Sequence, residues 1–197
     1  MAFIAPPSEL APETRAQLAA FADAHAHFAA LRAVVARFPA ALKALDNQYS
    51  LIMGRGRLDR WVRDAVFAVS SAERGNTYLA DAMAREAVRH GASADWIKSL
   101  LTLDADVTQP GEGIQALIRF TRKAALAPYK SVPDDIRSLR AAGWVNEDLV
   151  EALTVISLSV YMDILSLSLR IGQGDEVRAR RAQQEAGDGT DRLSRSL

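Results

Sequence analysis

Apolar residues recur along this chain at intervals of three and four, the spacing that lines one face of an α-helix, and no stretch alternates convincingly as a half-buried strand would. Pro12 and Glu13 open a first predicted helix whose Leu18, Phe21, Phe28 and Leu31 form a stripe. Phe38 and Pro39 interrupt, and a second helix runs through Leu42, Leu45 and Leu51 to Met53. After a Gly54-Arg55-Gly56 hinge, Leu58, Trp61, Val62, Ala65, Val66 and Val69 give a third helix a clear apolar face, with Arg57, Arg60 and Arg63 largely off it. That helix should break near Gly75. Asn76 is an acceptable cap for the next one, which ends in Arg89 and His90 before Gly91, placing cationic groups at a helix C-terminus and glycine just past it. Ser93 caps a short helix holding Trp96, Ile97, Leu100 and Leu101. Ile114 to Leu126 is stopped by Pro128, Val132-Pro133 starts a helix that ends at Gly143, and Asn146-Glu147-Asp148 opens a long last helix through Leu169. The expected architecture is all-α, one domain over residues 1–172 with about eight helices. From Gln173 large apolar residues thin out and arginines alternate with acids, so residues 173–197 cannot bury enough surface to order alone. An exposed helix to about Ala186 followed by a disordered end is expected there; an arm docked on a neighbouring subunit is the alternative.

Composition narrows the function classes. A chain of 197 residues that is 49% hydrophobic can build one sizeable core. Lysine plus arginine equals aspartate plus glutamate, 24 each, so no global field favours nucleic acid or a membrane surface. Cysteine is absent, which excludes disulfides, thiolate metal sites and every mechanism in which this chain supplies the sulfur nucleophile. The N-terminus has no basic segment followed by a long apolar one, so it does not read as a signal peptide and a cytoplasmic location is expected. The weakly charged run from Ala152 to Met162 is shorter than the about 18 apolar residues of a membrane span, and reads as a buried core helix.

Three blocks of sequence resemble a known family. Arg63-Asp64-Ala65-Val66-Phe67-Ala68-Val69-Ser70, Gly75-Asn76-Thr77-Tyr78-Leu79, and Leu139-Arg140-Ala141-Ala142-Gly143-Trp144 followed by Glu147-Asp148-Leu149-Val150-Glu151-Ala152 are similar, in order and spacing, to the alkylhydroperoxidase D and carboxymuconolactone decarboxylase superfamily, in its peroxidase-related branch. The resemblance spans roughly residues 38 to 172. It implies a helical fold that assembles as a dimer, trimer or hexamer. Peroxidase members of that family carry a Cys-x-x-Cys-x-x-x-His motif with a glutamate upstream. Carried across without a gap, the cysteines fall on Asn76 and Leu79, the histidine on Met83 and the glutamate on Asp64. Positions 76, 79 and 83 share one helix face, and here that face is amide, isobutyl and thioether. None of these can form a thiolate or resolve a sulfenic acid. The cysteine-independent decarboxylase branch moves protons with side chains that include a histidine, and Met83 cannot do that.

Each candidate residue carries two readings. Asp64 is either a buried acid with a pKa raised by desolvation, usable as a base, or the partner of Arg60 one turn earlier. Tyr78 either lines a pocket or is an amphipathic core tyrosine with a satisfied hydroxyl. Asp163, inside an apolar helix after Tyr161 and Met162, needs a partner. Arg170 or an arginine of the third helix could form an internal ion pair with it; otherwise it is a site carboxylate. Asp23, His25 and His27 suggest a metal cluster, but residues two apart on a helix diverge by about 200°, so no metal is expected, and no cofactor is implied. The arginines at 55, 57, 60 and 63 and at 178, 180 and 181 read as solvated faces or subunit contacts, without the aromatics or net charge of a nucleic-acid site. Three functions stay open: a degenerate, non-redox binding or structural subunit with a small-molecule pocket lined by Asp64, Asn76, Tyr78, Leu79, Met83, Tyr161 and Asp163; a cysteine-independent enzyme moving protons on a small organic acid or lactone; or a non-catalytic partner of a cysteine-bearing paralogue.

Overall fold

The computed structural model describes residues 2–22, 26–102 and 110–172. The expectations for the 173–197 tail, its arginines, Asp23 and His25 lie outside the described residues. Nine α-helices follow one another among those described: α1 (Pro12–Ala20), α2 (Ala29–Val35), α3 (Pro39–Gly54), α4 (Arg60–Glu73), α5 (Thr77–Arg89), α6 (Ala94–Thr102), α7 (Glu112–Leu126), α8 (Pro133–Ala141) and α9 (Asn146–Ser168), with 3-10 turns at Ala26–Phe28 and Pro128–Lys130 and no strand. Proline sits in the first turn of α1, α3 and α8, where its missing N–H leaves no bond unmade. The acids Asp135 and Asp148 reach back to the amides of Val132 and Val145 to close the starts of α8 and α9.

The single first helix expected from the stripe at 18, 21, 28 and 31 is instead two. Phe28 and Leu31 are in the core, but Leu18 and Phe21 are only half-buried, and the described chain turns at Phe21-Ala22 before the 3-10 turn. Arg32 explains the arrangement. From α2 its guanidinium reaches the carbonyls of Gln17 and Leu18 at the end of α1 (3.2 and 3.4 Å), lies over the Phe21 ring, and makes two bonds to Asp46 of α3 at 2.8 and 3.0 Å. A helix C-terminus held by a cation on its carbonyls needs no continuation.

α4 is the centre of the molecule. Every residue from Val62 to Ser71 is buried, because α3, α5, α6, α7 and α9 all pack around it. The short Arg74-Gly75-Asn76 link returns the chain antiparallel as α5, so the start of α4 faces the end of α5 and the end of α4 faces its start. Alanines at 65, 68, 80, 82, 84 and 87 are among the buried residues of this pair, letting the two backbones approach closely. α9 is long and apolar enough, by length and composition, to cross a membrane, yet half of that apolar window is buried inside the fold. Glu151 on α9 gathers the loop before α4: it accepts from the amides of Arg57 and Leu58 and pairs with Arg63 at 3.5 Å, while Asp148 takes Arg57 at 3.0 Å. A Cβ at Gly56 would lie 2.0 Å from the Glu151 carboxylate and displace it, and the φ of +157° there is one that side chains rarely adopt. Arg57 and Arg63 are thus paired with acids of α9, and Arg60 pairs with Asp64 on its own helix.

Candidate functional site

Asn76 caps α5. Its Oδ1 accepts from the Leu79 amide at 3.2 Å, and its Nδ2 donates to Asp163 Oδ1 at 2.7 Å and to the Ser166 hydroxyl at 2.6 Å. All three side chains are within 1% of full burial. Both N–H donors of the carboxamide are therefore used and its oxygen caps the helix, and the position that would hold the first cysteine is a structural lock between α5 and α9. Asp163 finds its cation in Arg74, at the end of α4, rather than in Arg170, whose guanidinium lies over the Phe3 ring. The Arg74 Nε and Asp163 Oδ2 stand 3.6 Å apart without completing a hydrogen bond. Burial pushes the Asp163 carboxyl up to about 6, opposed by the adjoining Ser71 hydroxyl, by Asn76 and by the Arg74 charge.

Asp64 occupies the other end of α5. Its Oδ1 accepts from Arg60 Nε at 3.0 Å, one turn before it, and its Oδ2 lies 2.7 Å from His90 Nδ1. Burial raises its pKa, opposed first by Arg60 and then by His90. The ring of His90 is 29% exposed while the carboxylate is fully enclosed, so Asp64 holds a partly exposed imidazole by its Nδ1 and leaves Nε2 outside that contact. Position 90 lies two turns beyond Met83 on nearly the same face of α5. An acid–histidine pair thus exists, displaced from the place the sequence comparison gave it.

Met83 receives the Tyr49 hydroxyl at 3.7 Å from its sulfur. Tyr49 in turn meets His27 at 3.4 Å, and His27 lies 3.8 Å from Glu86. Desolvation raises the phenol pKa strongly, offset by Arg60. Tyr78 is half-buried, with its hydroxyl on the Leu31 backbone and its ring against Gly172, where a Cβ would come within 2.3 Å. Leu79 is fully buried, and Tyr161 is half-buried two residues before Asp163, turned away from it. The structure joins Asn76 with Asp163 at the start of α5, sets Asp64 at its other end against His90, and leaves Met83 midway along it under Tyr49. Sequence reasoning missed His90, Ser166, Ser71 and Tyr49, while Arg74 falls under its second alternative for Asp163, an arginine of the third helix. The antiparallel return at Gly75 was the usable signal, since it places the end of α5 beside the start of α4.

Likeness to solved structures decides the fold. An uncharacterized peroxidase-related protein from Silicibacter sp. TM1040 superposes with a TM-score of 0.78 at 16% identity, over 89% of this chain and 93% of its own. The alkylhydroperoxidase AhpD core of an uncharacterized peroxidase-related protein from Ralstonia eutropha JMP134 gives 0.76 at 16%, over 89% and 94%. The chain has the alkylhydroperoxidase D fold. A third structure of that fold, the debrominase Bmp8 in complex with 2,3,4-tribromopyrrole, gives 0.72 at 14%, over 93% and 97%. No protein-family model and no curated protein matches the sequence. At these identities the likeness is one of alkylhydroperoxidase D architecture, and the chemistry must be read from the residues.

The Asp163 environment predicts a pH effect. Its folded pKa stands above the ordinary 3.8, so folding favours the protonated form. The stability that this contributes is complete below the unfolded pKa and is lost as pH rises through about 6. Asp163→Asn should therefore gain on the wild type between pH 4 and pH 8, by about 2–3 kcal/mol in denaturant unfolding. A constant difference across that range would show that the carboxyl titrates normally.

Proposed function

We propose that this chain is a non-thiol protein of the alkylhydroperoxidase D fold that works as an oligomeric binding or structural subunit. The observation that carries the reading is position 76, where a buried asparagine is held by Leu79, Asp163 and Ser166. A peroxidatic centre needs a reachable, ionisable sulfur; here a fully buried amide with both N–H donors engaged stands in its place. Assembly is supported by α9, whose Val150 and Ile164 are 64% and 53% exposed on one face. A small-molecule role for the scaffold is supported by the debrominase of the same fold, solved with a small halogenated pyrrole.

The test is hydroperoxide consumption by the purified chain with a dithiol reductant, alongside its mass in solution. No sustained turnover is expected, only slow oxidation limited by four methionines, of which Met53, Met83 and Met162 are buried. The mass should be that of several protomers. Continuous peroxide reduction above the buffer rate would overturn the reading.

The Asp64–His90 pair favours a second reading, proton transfer on a small organic acid or lactone. A carboxylate on Nδ1 fixes the tautomer and leaves Nε2 to act as base. If a turned-over substrate is found, His90→Gln should remove most of kcat; unchanged turnover would take the pair out of the mechanism.

A further inference from the structure

A cleft of about 330 Å³ runs between α7 and α9 and ends on Arg74. Its walls are apolar: Ala124, Leu126, Ile156 and Val160 contribute, with Leu153 at 38% exposure near the surface. Arg74 is the one charged residue lining it. Among the described residues, the guanidinium gives Nη1 to the Ala125 carbonyl at 3.2 Å, and its buried Nε has no hydrogen-bond partner. The Arg74 side chain keeps 26% of its surface exposed where it lines the cleft, and a guanidinium carries five N–H donors. Small-molecule sites combine this size and apolar lining with a few convergent polar groups, and a guanidinium recognises carboxylates through paired N–H donors.

We propose that this cleft binds a small monocarboxylate, its carboxylate on Arg74 and its aliphatic or aromatic body against Leu126, Leu153, Ile156 and Val160. The inference rests on the reading of the chain as a non-thiol binding subunit, and supplies its ligand class. Asp163 behind Arg74 gives the site a pH dependence. As pH falls toward 6 that acid begins to neutralise, Arg74 loses its internal counter-charge, and an external carboxylate binds more tightly. Asn76 and Ser71 are the other polar groups acting on the Asp163 carboxyl, and neither titrates in this range.

Methyl NMR of the full chain titrated with benzoate, and separately with benzamide, tests this. Benzoate should shift the methyls of Leu126, Leu153, Ile156 and Val160, binding at least roughly tenfold more tightly than its neutral isostere, and more tightly at pH 5.5 than at 7.5. Removing Arg74 alone would strand Asp163, so the variant is Arg74→Gln with Asp163→Asn, which leaves the buried layer neutral. It should keep the dispersed spectrum of the folded protein and lose the benzoate shifts. Absence of shifts with millimolar benzoate, equal binding of benzamide, or survival of the shifts in the double variant would each overturn the proposal. None of those outcomes alters the peroxide result, so failure here is separable from failure of the non-thiol reading.

Discussion

Asn76→Ala should destabilise the chain by about 3 kcal/mol, read as a lower denaturant midpoint at an unchanged slope. Three losses add at one site. The cap to the Leu79 amide contributes about 1 kcal/mol. The Ser166 hydroxyl, fully enclosed, loses the donor at 2.6 Å. Asp163 loses its shortest hydrogen bond while remaining out of water, and a buried acceptor stripped of its donor costs about 1–3 kcal/mol, more when charged. Protonation limits the damage, so the deficit should be smaller at pH 5 than at pH 8. Asn76→Asp separates cap from donor: it keeps an oxygen for Leu79 but sets a second carboxylate against Asp163, and should be the worse variant at neutral pH and recover on acidification. Asn76→Cys with Leu79→Cys, which rebuilds the family's thiol pair, should still lack peroxidase turnover. Burial and the Asp163 carboxylate 2.7 Å from the present amide both oppose a thiolate at position 76. If those cysteines reacted rapidly with peroxide, the site would have kept its chemistry and lost only its sulfur.

Helix existence and ends could be read from sequence because caps and breakers are local: Asn76, Gly91, Pro128, Gly143 and Asn146 each stand within a residue or two of an observed boundary. The first helix failed because periodicity continues through a turn as readily as through a helix. What ends α1 is Arg32, which acts from the next helix. The site divides in the same way. The Arg60–Asp64 pair is one turn long and was among the readings of Asp64, whereas His90 meets Asp64 across 26 residues, a distance fixed only by the α4–α5 return. Arg74 was hidden differently. It was one of several arginines of the third helix, and Arg170 lay nearer to Asp163 in sequence; yet Arg170 takes a positive φ of 53° past the end of α9 and turns to Phe3. Charge pairing in a helical bundle follows which helix ends are neighbours, and sequence separation carries little of that.

Arg32→Met should destabilise the fold by about 3–5 kcal/mol and release α1. The guanidinium is 4% exposed and Asp46 2%, so removing the cation leaves a carboxylate buried with Gln17 Nε2 at 2.9 Å as a remaining donor; a stranded partner of this kind is where the loss arises, rather than in the attraction itself. α1 feels it twice. Thr14 is its one buried residue, so its docking depends on the Arg32 bonds to Gln17 and Leu18 and on the cation over Phe21, and little apolar area holds it otherwise. Limited proteolysis should cut the variant within residues 11–22 under conditions that leave the wild type intact, with the α4–α5–α9 core persisting as the resistant fragment. Arg32→Met with Asp46→Leu distinguishes the two contributions. Replacing both ions by apolar groups should restore most of the global stability, yet α1 should remain the first site of cleavage, because its terminal carbonyls still lack their cation. Equal resistance of the double variant and the wild type would mean that α1 is held by packing, and that Arg32 only balances the charge of Asp46.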